Sequence, residues 1–285
     1  MPELPEVQTT VNGLNATVKG RKIVDVWTDY KSKHKMHRDS IKDAKFFLDF
    51  KKKIVGQKIL KAERRAKNIL IHLSGEHTIL VHMKMTGHFL YDKPNYPHVR
   101  FSLKLDNGKN LALSDMRRFA KVTIIDTENL EKSLHLENIG PEPLETSFIY
   151  SKFKERLVTK SKGKIKTVLM DPSVIAGIGN IYSDEILWRA SVHPTSIVSK
   201  IPEKNLKLMF TAMKALLKKG IYFGGDSMSD YRNIKGEKGQ FQEHHQAYRL
   251  TGKTCSKRGC GGKITRLVVG GRSAHFCDKH QKLYI

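Results

Sequence analysis

The feature that most constrains this chain is a group of three cysteines and one histidine near its end. Cys255, Cys260, Cys277 and His280 follow the spacing C-x4-C-x16-C-x2-H. Three thiolates and one imidazole fill the four tetrahedral positions of a zinc ion, which is typical of a structural site. The odd number of cysteines disfavours a disulfide framework. We therefore predict one structural zinc ion and no organic cofactor, with His275 as the alternative histidine ligand.

The stretch between the two ligand pairs predicts a β-hairpin. Residues 264–269 and 273–276 have the composition of two short strands. The sequence Gly270-Gly271-Arg272 between them predicts the hairpin tip. A C-terminal zinc-finger hairpin is therefore expected, and three unrelated buried thiols are the alternative.

The net charge of the chain restricts its partners. Its 52 Lys and Arg residues outnumber 28 Asp and Glu residues, so the formal charge is +24. Two stretches, 51–68 and 246–285, hold eight and nine basic residues against one acid each. Such an excess concentrates polyanions around a protein and favours a nucleic-acid backbone as the partner. A solvated basic surface is the alternative.

Other classes are disfavoured by composition. Hydrophobic residues make up 39% of the chain, enough for buried cores, so wholesale disorder is excluded. No apolar run approaches the roughly 18 residues of a membrane span, and the first residues lack the pattern of a signal peptide. We expect no membrane partner, a monomer, and a cytoplasmic, nucleoid-associated location if the source is bacterial.

The spacing of apolar residues predicts a helix, then strands, then helices. Residues 5–18 place Val7, Val11 and Leu14 at helical intervals. The segments that predict strands are 22–28, 68–74, 78–91, 99–105, 109–114 and 120–125. The segments that predict helices are 144–157, 165–170, 181–190 and 202–218, followed by a long loop at 220–242. We predict domains at 1–130, 131–245 and 246–285.

Seven segments occur together in one order along the chain. They are 2–7 (PELPEV), 64–67 (RRAK), 82–87 (HMKMTG), 115–119 (DMRRF), 140–144 (GPEPL), 176–185 (AGIGNIYSDE) and the finger with Gly271-Arg272. In these segments the chain resembles the formamidopyrimidine-DNA glycosylase and endonuclease VIII family of DNA repair enzymes. Leu4 favours the formamidopyrimidine branch, because the other branch usually has glycine there.

The resemblance implies an α+β multidomain fold. Its parts would be an N-terminal helix with an antiparallel β-sandwich, a helix–two-turn–helix domain and the C-terminal zinc-finger β-hairpin. The implied activity is that of a bifunctional DNA glycosylase and abasic-site lyase of base excision repair. It would remove formamidopyrimidines and 8-oxoguanine opposite cytosine and cut the strand by β,δ-elimination. The alternatives are an endonuclease VIII-like enzyme for oxidised pyrimidines, a non-catalytic zinc DNA-binding protein, and an RNA-binding or membrane-surface basic protein.

The resemblance also implies catalytic roles. Pro2, once Met1 is removed, would be the secondary amine that forms a Schiff base with the deoxyribose. Glu3 would protonate the sugar ring oxygen, and Glu6 would help to orient the amine, although acids in the first turn of a helix also complement its dipole. Lys67 and Arg272 would hold phosphates at the lesion, and an ordinary strand-end lysine is the alternative for Lys67.

Further residues match positions that bind DNA in the family. Met85, Arg117 and Phe119 would fill the space left by an extruded base, while Met85 and Phe119 could instead be core residues. Asn180 would contact a phosphate, or act as a helix N-cap. Two more candidate DNA contacts are Lys166 and His98.

Two departures from the family pattern concern loops. The loop 224–240, with Tyr231, resembles the segment that closes over the lesion, but Asp226 stands where Ser or Thr is usual. This departure bears on which lesion is preferred. The region 31–53 is longer and more basic than in the relatives, and we expect a solvated insertion there.

Overall fold

The computed structural model describes residues 1–32, 34–93 and 95–285. Contacts between Cα atoms divide the chain into two compact units. Unit 1 contains residues 1–137 and 223–240, and unit 2 contains residues 138–222 and 241–285.

Unit 1 is a helix followed by two antiparallel sheets. Its helices are α1 (Leu4–Thr17) and α2 (Ala44–Ile54). Its strands are β1 (Ile23–Thr28), β2 (Ile59–Arg65), β3 (Asn68–Leu73), β4 (His77–His82), β5 (His88–Tyr91), β6 (Val99–Leu105), β7 (Asn110–Ser114) and β8 (Lys121–Asp126). The strand orders are β1-β6-β7-β5 and β2-β3-β4-β8. One core takes side chains from both sheets and from α1, which confirms the predicted helix and sandwich.

The packing of α1 fixes where its first turn lies. Val7, Val11 and Leu14 form its buried face, as their spacing predicts. The side chain of Asn15 joins α1 to β2, because it donates to the carbonyl of Ala62 at 2.9 Å and accepts from the amide of the same residue at 2.8 Å.

Three parts of unit 1 differ from the sequence prediction. The single strand expected at 78–91 is two strands, β4 and β5, with Lys84 at φ +53° in the turn between them. The strand β2 was missed, since only Ile59 and Ala62 face the core and its other side chains are polar or exposed. The region 31–53 is not a solvated insertion: Ile41 is buried, and residues 44–54 form a helix that buries Phe50.

Unit 2 is helical and ends in a hairpin. Its elements are α3 (Tyr150–Val158), α4 (Ile165–Met170), α5 (Asn180–Ala190), α6 (Glu203–Tyr222), β9 (Ile264–Val269) and β10 (Arg272–Cys277). The helix expected at 144–157 is shorter, because only its second half is helical. Gly270 and Gly271 have φ of 56° and 74°, so these two residues form the hairpin turn and Arg272 pairs with Val269 instead of lying at the tip.

The two units also divide the chain differently from the three domains predicted. The hairpin belongs to unit 2, because the carboxylate of Glu185 in α5 accepts the backbone amides of residues 246–248 at 2.9–3.1 Å. The segment 223–240 belongs to unit 1, where the hydroxyl of Tyr231 donates to the carbonyl of Glu6 at 2.9 Å. Long-range polar contacts of this kind leave no periodic signal in a sequence.

Membrane-spanning helices were also sought. Among the residues that the structure describes, no helix is both long and apolar enough to cross a bilayer.

Candidate active site and nucleic-acid interface

The start of α1 gathers acidic groups around the amino terminus of unit 1. Pro2, Glu3 and Glu6 are buried, the two glutamates with 2% and 1% of their surface exposed. The carboxylate of Glu6 accepts the backbone amide of Glu3 at 2.7 Å and that of Asp226 at 2.8 Å. Glu6 therefore links the first turn of α1 to the segment 223–240.

Burial changes the proton affinities in this cluster. Burial, and then repulsion from the Glu3 carboxylate, raise the pKa of Glu6 to about 7, although its two backbone hydrogen bonds oppose the change. Burial also lowers the pKa of the α-ammonium of Met1, and the positive charge of Lys67 acts in the same direction. The cluster therefore favours a neutral amine at this end of the chain.

Lys67 lies in the two-residue turn between β2 and β3. Ala66 adopts φ +53° in this turn, and the Lys67 side chain is partly exposed. The residue after it, Asn68, pairs across the strands with His82 in β4. The strand register thus brings Lys67 near His82, as well as near the amino terminus on which its charge acts.

His82 is a site residue that the sequence analysis did not single out. Burial, followed by the charges of Lys84 and Lys67, lowers its pKa to about 3, so the imidazole is neutral. Its Nδ1 accepts the backbone amide of Lys84 at 3.0 Å, which places the ring proton on Nε2. A single histidine in a strand carries no sequence signal of this kind, and only the pairing of β3 with β4 reveals it.

A loop at 115–120 is organised by the buried carboxylate of Asp115. That carboxylate accepts the hydroxyl of Thr86 at 2.6 Å, the hydroxyl of Tyr30 at 2.7 Å and the backbone amide of Ala120 at 2.8 Å. Thr86 in turn accepts the backbone amide of Arg117 at 3.1 Å. These bonds bring the 115–120 loop next to the turn that carries Met85, so these distant segments of the sequence adjoin.

The side chains of this loop point outwards. Phe119 is 50% exposed, so it is not a core residue, and the Arg117 guanidinium lies 4.6 Å from the centre of its ring. Met85 is partly exposed. His98 is exposed with φ +59°, and its carbonyl accepts the backbone amide of Asp115 at 2.9 Å. Four of the predicted DNA contacts therefore lie around one loop of unit 1.

The segment 223–240 is held closely to α1. Gly225 has φ +86°, and a Cβ there would lie 2.8 Å from Cγ of Glu6, so a larger residue would collide. Gly239 lies as close to the backbone of Gly224. Tyr231 is buried, and its hydroxyl is bonded to α1 as described above.

In unit 2, Asn180 is the first residue of α5 and Gly179 is the N-cap, so the alternative role of Asn180 as an N-cap is wrong. Asn180 is partly exposed, and within the described residues its Oδ1 has no hydrogen-bond partner.

Lys166 is not on the surface, contrary to its predicted role as a DNA contact. Its side chain is fully buried, and its ammonium lies 2.5 Å from the Asp184 carboxylate and 3.1 Å from the hydroxyl of Ser183. A buried lysine needs such partners, because an unpaired charge in the interior is costly. Lys166 therefore joins α4 to α5 and supports the turn before Asn180.

The four predicted metal ligands converge in unit 2. The ligand atoms of Cys255, Cys260, Cys277 and His280 all lie within 4.8 Å of one another. The Nε2 of His280 lies 3.0 Å from the carbonyl of Trp188, so Nε2 donates there and Nδ1 faces the thiols. These residues could hold one metal ion.

The alternative ligand and the hairpin arginine have other places. His275 donates from Nδ1 to the Asp184 carboxylate at 2.9 Å and lies outside the ligand group. Arg272 is exposed at the start of β10.

Comparison with protein families gives two matches in chain order. Residues 1–122 match the model of the formamidopyrimidine-DNA glycosylase N-terminal domain. Residues 139–232 match that of the formamidopyrimidine-DNA glycosylase H2TH domain.

Characterised relatives match over the full length. The formamidopyrimidine-DNA glycosylase of Pelotomaculum thermopropionicum is 35% identical, covering 99% of this chain and 100% of the relative. That of Streptococcus pyogenes serotype M6 is 36% identical, covering 99% of both.

Solved structures of the Lactococcus lactis enzyme have the same fold. Its complex with DNA containing N7-benzyl-Fapy-dG superposes with a TM-score of 0.85 at 32% identity, over 97% of this chain and 98% of that one. Its complex with DNA containing an oxidised pyrimidine gives 0.84 at 31% identity, over the same shares. The predicted fold class and family resemblance are thereby confirmed.

Proposed function

Since the chain belongs to the formamidopyrimidine-DNA glycosylase family, we propose that it excises oxidised purines from double-stranded DNA and then cuts the strand at the abasic site. The observation that carries this proposal is the cluster at the start of α1. There, Glu3, Glu6 and Lys67 surround an amino terminus whose burial lowers the pKa of its ammonium.

The first chemical step needs a neutral amine. Removal of Met1 would leave the secondary amine of Pro2 at the terminus, and an α-amine has an ordinary pKa of about 7.7–8.0. Its nitrogen would bond to the sugar C1′ while the bond from C1′ to the damaged base breaks, and the base would leave as its protonated form. Burial at this position would enlarge the neutral fraction of the amine at pH 7.

Glu3 would act on the sugar. As the bond from C1′ to the ring oxygen breaks, its carboxyl group would donate a proton to that oxygen, and the nitrogen would become an iminium. The iminium withdraws electrons from C2′, so a proton is lost there and the 3′ phosphate leaves, followed by the 5′ phosphate. This sequence is β,δ-elimination. Glu6 would hold the first turn of α1 in place through the Glu3 amide.

Reaching the base requires its extrusion from the helix. Met85, Arg117 and Phe119 would occupy the space left in the stack, since two apolar side chains suit a wedge and the guanidinium can bond an unpaired cytosine. The exposure of Phe119 supports this role. Tyr231 and the segment 223–240 would cover the extruded base.

The DNA backbone would be bound by cationic and neutral donors. Lys67 and Arg272 supply charges for phosphates. The Nε2 proton of neutral His82 is a suitable donor to a phosphate oxygen, and Asn180 would contact another phosphate. His98 is a further candidate. The charge of +24 supports the same partner.

Zinc suits the ligand group in unit 2. Cys255, Cys260, Cys277 and His280 would hold one zinc ion, and four protein ligands leave no position for a substrate, so its role would be structural. The ion would fix the base of the β9–β10 hairpin that presents Arg272. We further propose that the protein acts as a monomer in the bacterial cytoplasm, at the nucleoid.

A second candidate substrate class is oxidised pyrimidines. It is favoured by the similarity to the Lactococcus lactis complex with such a lesion and by Asp226, which differs from the Ser or Thr usual in the capping segment. We propose purines as the main substrates because the other named relatives are formamidopyrimidine-DNA glycosylases.

The experiment that tests the proposal compares base release from three duplexes. They contain formamidopyrimidine-guanine, 8-oxoguanine or an oxidised pyrimidine, each in otherwise identical DNA. We expect faster release of both purine lesions. Faster release of the pyrimidine would assign the second class, and binding without release of any base would contradict the enzymatic proposal.

A further inference from the structure

The residues that precede α2 contact the 115–120 loop. In this segment Ser40 and Ile41 have 1% of their surface exposed and Lys42 has 8%. The amide of Ile41 donates to the carbonyl of Val122 at 3.0 Å, along the edge strand β8. Asp39 forms an ion pair with Lys121 at 2.6 Å. The backbone on both sides of Lys42 is thereby fixed.

The ammonium of Lys42 is directed at the loop backbone. It donates to the carbonyl of Arg118 at 2.7 Å and lies 5.1 Å from the centre of the Tyr30 ring. Burial lowers the pKa of Lys42, and the carboxylate of Asp115 opposes this change. A hydrogen bond from a charged donor in a partly buried place is stronger than an ordinary one.

The carbonyl that accepts this bond belongs to a strained residue. Arg118 has φ +57°, in the left-handed region that a bulky side chain rarely occupies. Such a conformation persists only where surrounding contacts hold it. Two contacts do so here: Lys42 holds the carbonyl, and the Asp29 carboxylate holds the guanidinium at 3.0 Å.

Arg118 lies between the two side chains that we assign to the stack. Its backbone conformation sets the directions in which Arg117 and Phe119 leave the loop. The network of Asp115 fixes the ends of the loop, at residues 115, 117 and 120, whereas Lys42 contacts its middle.

We propose that Lys42 is a positioning residue for base extrusion, which keeps Arg117 and Phe119 aimed for entry into the duplex. This inference rests on the proposed function. It assigns a role to the long basic region 31–53 other than a contact with DNA: its lysine would act from behind the loop, through the backbone of Arg118.

The test uses Lys42→Met, which keeps most of the side-chain volume and removes the donor. Lys109→Met is the matched control, because Lys109 also lies over a tyrosine ring, at 5.4 Å from the centre of Tyr91, but contacts no residue of the loop in the contacts described. Lys42→Arg restores a charged donor. Two single-turnover rates are measured: excision of 8-oxoguanine paired with cytosine, and cleavage at a preformed abasic site, which needs no extrusion of a base.

We expect Lys42→Met to lower the excision rate about tenfold, the factor that 1.4 kcal/mol represents, and to leave abasic-site cleavage within about twofold. Lys42→Arg should recover part of the excision rate, and Lys109→Met should match the parent protein in both. Equal excision by Lys42→Met and Lys109→Met would overturn the proposal, and so would a parallel loss of both reactions with a lowered melting temperature. Absence of excision by the parent protein would instead contradict the proposed function.

Discussion

At the residue scale, Glu6 connects the chemistry of the site to its architecture. One carboxylate oxygen accepts the amide of Glu3, and the other accepts the amide of Asp226, far along the chain. Burial and the nearby Glu3 carboxylate raise its pKa to about 7 from 4.5. The folded protein therefore binds this proton more tightly than the unfolded chain does, so its contribution to stability decreases as the pH rises from about 4.5 through about 7.

We predict that Glu6→Gln removes this pH dependence. The amide group of glutamine turns a donor towards one of the two backbone amides, so the variant should lose about 1–3 kcal/mol at low pH. The difference in unfolding free energy from the parent protein should then narrow as the pH rises from 5 to 7.5. Denaturant titration at several pH values measures it. Glu128→Gln, an exposed acid of unit 1, is the control, and parallel pH curves for parent and Glu6→Gln would contradict the assignment.

We predict that Glu3→Gln separates the two proposed activities. Glutamine cannot donate a proton as an acid, so base excision should fall by at least about 10²-fold, the usual effect of losing a general acid. Cleavage at a preformed abasic site should persist in part, because that sugar already opens without the enzyme. Gel assays on the two substrates measure this, and full excision by Glu3→Gln would refute the acid role.

Individual site residues were predictable to different degrees. Pro2, Glu3, Lys67 and the metal ligands lie in short motifs, so their positions are legible in the sequence. The burial of Lys166 was not, because its partner Asp184 lies on another helix. His82 and Lys42 likewise gain their interest from strand pairing and from a carbonyl distant in sequence.

At the scale of elements, the β9–β10 hairpin is joined to α5 by more than the metal ligands. Asp184 accepts from the backbone amide of His275 at 2.9 Å, and Glu185 accepts from the residues that lead into the hairpin. The carbonyl of Trp188, also in α5, orients His280. Loss of the metal should therefore affect α5 as well as the hairpin.

We predict that chelation of the metal weakens DNA binding more than it destabilises unit 1. Without the ion, the thiolates repel one another and Arg272 loses its fixed support. Binding of a lesion-containing duplex and the thermal unfolding of the chelated protein test this, with readdition of zinc as the control. Unchanged affinity after chelation would contradict the role given to the hairpin.

Elements with one apolar face were predictable, and those defined by tertiary contacts were not. The period of α1 and the β-branched runs of β3 and β4 identified them. The strand β2 carries only two core side chains among basic ones. The helix α2 starts at Asp43, whose side chain accepts the amide of Phe46 at 2.9 Å, but its many lysines resemble a solvated loop.

At the scale of the whole molecule, sequence order and spatial grouping differ. The segment 223–240 follows α6 of unit 2 in the chain but packs in unit 1, and the hairpin is part of unit 2. A linear division into three domains therefore misplaces the capping segment relative to α1. The charge of +24, by contrast, is a property of composition and indicated the class of partner directly.

The central claim of this account is that the nitrogen of Pro2 becomes covalently bound to the deoxyribose. Reduction with borohydride during turnover of an 8-oxoguanine duplex, followed by mass spectrometry of the trapped peptide, tests it most directly. We predict a stable adduct on Pro2 in protein that lacks Met1, and little adduct in protein that keeps it. An adduct on a lysine side chain, or full strand cleavage by protein that still begins with Met1, would contradict the claim.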